Sequence, residues 1–145
     1  MKLVVDASVF VAAADKADAA HGQAKGFLAH IARLRCRVLC PALVLPETAA
    51  AIARLTRDSG QGDVAVLRVL ALPGLKLVAL SEGLAKQAAR RASRHFLKGA
   101  DAIYVALAAS SKALLVSLDE EMLERGARAV KTMTPADWTK TADVP

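Results

Sequence analysis

A chain of 145 residues, 54% of them hydrophobic, can bury a real core as one domain, which excludes global disorder. Only 3% of residues are aromatic, so the apolar content is mostly Ala, Val and Leu, small side chains that let helices lie close to a sheet. The charge of +6, from 20 Lys and Arg against 14 Asp and Glu, suits a nucleic acid or an acidic partner protein and does not choose between them.

Lys2–Val5 is a short apolar run ended by Asp6, which reads as a buried parallel strand. Phe27, Leu28, Ile31 and Leu34 recur at helical spacing across a helix from about Gly22 to Leu34. A second strand over Arg35–Cys40 would place Cys36 and Cys40 on one face, and Pro41 closes it. A helix from Val44 to Arg57 carries Val44, Ala51, Ile52 and Leu55 on one stripe, with Pro46 tolerated only in its first turn. Ser59-Gly60-Gln61-Gly62 is read as a loop, followed by a short helix over Val64–Leu72 and a turn at Pro73-Gly74. Leu75–Leu80 is a third strand, and Ser81 is placed to cap the helix that follows. Ala100–Ser110, apolar nearly all round, is a buried helix; Leu114–Leu118 is a fourth strand and Glu120–Arg128 a helix. Val130 is expected in an edge strand, and Thr134-Pro135 opens a terminal turn holding Trp138. Strands alternating with helices imply a mainly parallel sheet covered on both faces, whose functional crevice lies at the carboxyl ends of the strands. The domain is expected to span residues 1–140, leaving a short tail over 141–145.

Two cysteines without further ligands at recognisable spacing make no zinc site, and both are expected as reduced thiols. His21, His30 and His95 share no ligand spacing and are expected to be at the surface or half-buried. No apolar run approaches the ~20 residues that span a bilayer, and Asp6 interrupts the only apolar start, so a cytoplasmic location is expected.

Four acids stand out. Asp6 and Asp119 directly follow strands, and each would also serve a helix N-terminus, Asp119 beside a capping-box spacing of Ser117 and Glu120. Glu47 opens its helix at the edge of the apolar stripe, where a first-turn Glu is ordinary helix chemistry. Asp101 is the least ordinary: its neighbours are nearly all apolar, and an ionised carboxylate is costly to bury unless paired or bound to a metal. One end of the sheet could collect all four. Carboxylates so close repel one another, and a cation of high charge density removes that penalty. Ligation by oxygen alone suits Mg2+ or Mn2+, which can support phosphodiester hydrolysis without a base histidine.

The segments Val4-Val5-Asp6-Ala7-Ser8-Val9, Pro46-Glu47-Thr48, Ala100-Asp101-Ala102-Ile103-Tyr104-Val105-Ala106-Leu107-Ala108 and Leu115-Val116-Ser117-Leu118-Asp119, in that order, resemble PIN domains. Their intervals and the size of the chain are similar to the VapC-type toxins of type II toxin–antitoxin systems, over about residues 1–140. The resemblance implies a three-layer α/β/α domain with a central, mainly parallel sheet of four to five strands, and a Mg2+-dependent endoribonuclease activity, with Mn2+ as a substitute. It makes Asp6, Glu47, Asp101 and Asp119 the catalytic metal site and gives Ser8 and Ser117 supporting hydroxyl roles. It also implies a homodimer and a cognate antitoxin that blocks the site.

Lys86, Arg90, Arg94 and Lys98 recur every four residues, with Ala85, Ala88, Ala89, Ala92 and Phe96 on the opposite arc. This is either a solvated helix face or a stripe that tracks RNA phosphates toward Asp101. Two other functions are open: a non-catalytic RNA- or protein-binding module on the same fold, and a phosphotransfer domain. The second is disfavoured because Ser8 stands where one such family needs another Asp, and a receiver's early acidic pair and late Lys are missing.

Overall fold

The structure, a computed structural model, describes residues 1–143 of the chain. In chain order the elements are β1 (Lys2–Val5), α1 (Ala7–Ala14), α2 (His21–Arg33), β2 (Arg37–Pro41), α3 (Val44–Thr56), α4 (Ser59–Leu70), β3 (Leu75–Val78), α5 (Glu82–His95), α6 (Gly99–Ser111), β4 (Leu114–Val116), α7 (Glu120–Gly126), β5 (Thr132–Met133) and α8 (Pro135–Ala142). The terminal residues 144 and 145, part of the expected tail, lie outside the described residues, and α8 runs through 141 and 142.

The strands form one five-stranded sheet in the order β3-β2-β1-β4-β5, parallel at every pairing. Leu3, Val4 and Val5 of β1 are fully buried, as a central strand covered on both faces requires. From β1 the chain moves outward through β2 to β3, then returns past β1 to β4 and β5. Right-handed crossovers put the helices of these two excursions on opposite faces of the sheet. The packing agrees. Helices α1, α2, α3 and α4 pack among themselves, α5 and α7 pack on α6, and α6 lies across β1, β2 and β4. The result is the expected three-layer α/β/α domain.

The chain reverses direction in the sheet between β1 and β4. Helices on either side leave that point from opposite faces, so a crevice opens between the two strands at their carboxyl ends. Both Asp6 and Asp119 lie just beyond it.

Several expectations need correction. The stretch 59–62 is not a loop but the start of α4. Asp58 caps that helix, its carboxylate accepting from the Gly60 amide at 2.8 Å. A Cβ at Gly62 would stand 2.8 Å from the Ala49 carbonyl oxygen, so this glycine marks close contact between α3 and α4 rather than a turn. Leu55, expected on the buried stripe of α3, is 60% exposed, and Thr48 joins Val44 and Ile52 in the core instead. The last strand is Thr132–Met133, not at Val130. Cys36 lies before β2 and only half-buried, so the two cysteines do not share a strand face; both are free thiols. His95, expected at the surface or half-buried, is buried.

Two other helix starts are as read. Ser81 caps α5 by accepting from the Leu84 amide at 3.1 Å. Thr134 likewise accepts from Asp137 N–H at 3.1 Å, with Pro135 in the first turn, and the expected terminal turn is the full helix α8. No helix among the described residues is long and apolar enough to cross a membrane.

Candidate functional site

Asp6 sits at the end of β1, its amide bonded to the Val116 carbonyl of β4 at 3.0 Å. It takes the N-cap position of α1, yet its side chain makes no capping bond. Instead its Oδ2 accepts from Ser8 Oγ at 2.6 Å and from Ser117 Oγ at 2.9 Å. Each hydroxyl has a single proton, and both are spent on Asp6, so the 3.4 Å approach of the two serine oxygens is not a third bond. Their lone pairs do further work: Ser8 accepts from the Leu118 amide at 3.0 Å, and Ser117 from the Asp119 amide at 3.0 Å. The two serines therefore clamp the β4–α7 connection, which carries Asp119, onto the carboxylate that ends β1.

Asp119 takes the helix-capping role that the sequence offered as its ordinary one. Its Oδ1 caps α7 by accepting from Met122 N–H at 3.0 Å, which fixes the carboxylate against the start of that helix. Ser117 is engaged with Asp6, and the capping box with Glu120 does not form.

Glu47 comes from the first turn of α3, on one side of the sheet, and Tyr104 from α6, on the other. The Tyr104 hydroxyl donates to Glu47 Oε1 at 2.7 Å, tying the two layers together over the strand ends. Burial, followed by the charges of Asp6 and Glu47, drives the Tyr104 pKa far up, so the phenol remains a donor. Tyr104 is the site residue that sequence reasoning missed. Its place one turn after Asp101 was the available signal.

Asp101 lies in the first turn of α6, three residues after the N-cap Lys98. Its Oδ2 is buried and has no hydrogen-bond partner, so backbone donors do not rescue it. Burial is the main reason its pKa is pushed up to about 6; Asp119, Asp6 and Glu47 raise it further, against the ammonium of Lys98, which lowers it. Asp6 is also raised, by burial first and Asp119 last, despite the opposing bonds from Ser8 and Ser117. Glu47 is raised by burial and by Asp6, against the Tyr104 bond. The four carboxylates thus share one electrostatic neighbourhood.

Among the described residues no group of three or more His, Cys, Asp or Glu side chains stands close enough to enclose an ion directly. Mg2+ usually keeps several waters and is held through one or two carboxylates rather than an all-protein cage. An orphaned, buried carboxylate oxygen among coupled acids is the donor set such a hydrated ion satisfies. Cys40, whose Sγ donates to the Val5 carbonyl at 3.2 Å, lies beneath the site; burial pushes its thiol up to about 12, so it adds no thiolate.

The basic stripe is only partly as expected. Helix α5 ends at His95, so Lys98 is not on it but holds the N-cap position of α6 without a side-chain capping bond, its charge acting on Asp101. Lys86 pairs with Glu82 at 2.9 Å, and Lys98 stands 3.9 Å from Glu121. Arg90 and Arg94 are exposed and have no ion-pair partner among the described residues. The opposite arc is Leu84, Ala88 and His95; Ala85, Ala89 and Phe96 are exposed. Phe96 leaves that arc because it follows the last turn of α5 in a left-handed conformation.

A parallel sheet whose switch point gathers carboxylates, hydroxyls and a cation is an architecture for phosphodiester chemistry. The sequence model of the PIN domain family matches residues 3–128, and the chain belongs to that family. Among solved structures it is similar to VapBC2 from Rickettsia felis bound to a promoter DNA fragment, with 14% identity, TM-score 0.71, and coverage of 92% of this chain and 98% of that one. It is likewise similar to VapC20 of Mycobacterium tuberculosis, described as a sarcin-ricin loop cleaving toxin, with 22% identity, TM-score 0.70, and coverage of 86% and 95%. FitAcB from Neisseria gonorrhoeae shares 17% identity at TM-score 0.68, covering 92% and 98%. No curated protein sequence matches the chain.

Proposed function

We propose that this protein is a Mg2+-dependent endoribonuclease acting as the toxin of a toxin–antitoxin pair. The observation that carries the reading is the buried, unpartnered Asp101 Oδ2, on which the charges of Asp119, Asp6 and Glu47 all act. Asp6, Asp101 and Asp119 are the residues that would hold the ion, with Glu47 at the rim. When bound there, a divalent cation stabilises charge developing on a phosphodiester and acidifies a water. The chain's own groups supply position. Ser8 and Ser117 fix Asp6, Tyr104 fixes Glu47, and Lys98 offers an ammonium beside Asp101 for a substrate phosphate. The basic charge and the exposed Arg90 and Arg94, without ion-pair partners among the described residues, favour an RNA substrate.

The toxin role is supported by likeness to structures solved as VapBC and FitAB assemblies. A groove of about 400 Å³ on the α1–α2–α4 side suits an acidic, amphipathic segment of an antitoxin. Phe10, Leu28 and Val69 line it together with Lys16, Lys25 and Arg68, and none of the four acids does. A homodimer in the cytoplasm completes the reading.

A thermal-shift titration tests the metal site without relying on cleavage. Millimolar Mg2+ or Mn2+ should raise the Tm of the wild type by a few degrees, because an ion at ten times its Kd contributes about 1.4 kcal/mol. Asp6→Asn should lose that response. A wild type that neither responds to metal nor cleaves RNA would be a non-catalytic PIN-fold binding module instead.

Tyr104→Phe keeps the ring's packing and deletes only the bond to Glu47. Cleavage should fall about 10- to 100-fold, the usual consequence of freeing a residue at a metal site. If the rate is unchanged, Glu47 is not held for the reaction.

A further inference from the structure

The chain has three Phe, one Tyr and one Trp. Phe10, Phe27, Tyr104 and Trp138 are buried, whereas Phe96 is 70% exposed. Its backbone is also unusual. Phe96 is the C-cap of α5 at φ 55, in the left-handed region where Gly is favoured and a bulky side chain is uncommon. The surroundings hold it there. Its amide and that of Leu97 both bond to the Ala92 carbonyl, and its own carbonyl accepts from the Arg125 guanidinium. Arg125 is anchored in turn by Glu121 at 2.8 Å, and Leu97 is buried.

Phe96 also lies between two cations in the chain. Lys98, whose ammonium acts on Asp101, is two residues on, and that stretch of chain spans at most about 7 Å. Arg94 precedes it by two residues. An aromatic side chain is therefore presented to solvent between two cations, one of which acts on Asp101. Cations there can hold phosphates, and a bare ring offers a nucleobase its π-face.

We infer that Phe96 is a stacking platform for an unpaired base of single-stranded RNA, beside the bond to be cut. The inference rests on the nuclease reading and names the substrate form that site accepts. Stacking tolerates any base, so Phe96 selects for unpaired nucleotides rather than for a sequence. A duplex, its bases already stacked, gains nothing from the ring.

The test uses the full chain and short single-stranded RNA carrying 2-aminopurine. Binding is measured on the Asp101→Asn background, so that nothing is cleaved, and KM and kcat on the otherwise native chain. Phe96→Leu should weaken binding and raise KM about tenfold or more, with kcat little changed, and should abolish the quenching of 2-aminopurine. Phe96→Trp should preserve all three. Phe96→Gly should lose binding equally while its Tm stays the same or rises, since Gly relieves the left-handed strain; that separates a lost platform from a lost fold. Wild-type affinity and KM in Phe96→Leu would overturn the inference. So would a change in oligomeric state by light scattering with RNA binding intact, which would assign the ring to a protein contact. If the wild type binds and quenches but never cleaves, the nuclease reading fails while the platform stands.

Discussion

Replacing Asp101 with asparagine is expected to reduce RNA cleavage on the order of a thousandfold or more and, measured in EDTA, to make the protein harder to melt. The two effects share one cause. Asp101 Oδ2 is buried without a partner among other acids, so at neutral pH the native state carries a charge that the unfolded chain would rather hydrate. With a folded pKa near 6 against 3.8 for the free group, the native state favours the protonated acid. Below about pH 3.8 the group is neutral in both states and costs nothing; between 3.8 and about 6 the folded form is progressively penalised, and above that the penalty is constant. The side chain is partly exposed, so solvent screening reduces the nominal shift to about 1–2 kcal/mol, or a few degrees in Tm. Asparagine removes the charge at nearly equal volume. The stability gain should therefore be present at pH 7.5 and vanish near pH 3.5. An Asn variant that melts below the wild type at neutral pH, or cleaves RNA as fast, would show that Asp101 is an ordinary helix-start acid.

The second large effect is structural. Trp138 of α8 is 2% exposed and packs edge-on against Phe27, with ring centroids 5.2 Å apart, and against His30 at 5.5 Å. These contacts fasten α8 to α2 at the far end of the chain. Trp138→Ala should cost about 3–5 kcal/mol, enough to threaten folding of a domain this size. Trp138→Phe should cost far less than the Ala variant, because it keeps an aromatic ring in place and removes the indole N–H, which is buried without a partner. Urea unfolding followed by circular dichroism measures both. Equal losses in the two variants would mean that ring packing is not what holds α8.

The failures of sequence reading have physical reasons. The glycines of 59–62 read as a turn because glycine is usually there for backbone freedom; at Gly62 it is there for closeness, which depends on where Ala49 of another helix lies. The basic stripe read as one helix through Lys98 because Lys86, Arg90, Arg94 and Lys98 keep helical spacing, but periodicity does not reveal that Phe96 turns left-handed and ends α5, so that Lys98 stands at the start of α6. The exposure of Leu55 and the burial of His95 depended likewise on neighbours that local patterns do not contain.

What the amino-acid order determined by itself was the alternation of strands and helices, and hence a parallel sheet. It also placed acids directly after Val5 and Leu118 and in the first turns of α3 and α6, because burial patterns are local properties; the fourth strand itself ends earlier, at Val116. Only the tertiary structure decided that the order β3-β2-β1-β4-β5 puts β1 beside β4. Without that reversal the acids would lie along separate strand ends. With it, Ser8 and Ser117 meet on one carboxylate, Tyr104 reaches across the layers to Glu47, and Asp101 is left with a buried oxygen that no part of the protein satisfies. Those contacts join residues distant in the chain, so their energies depend on packing and not on any local pattern.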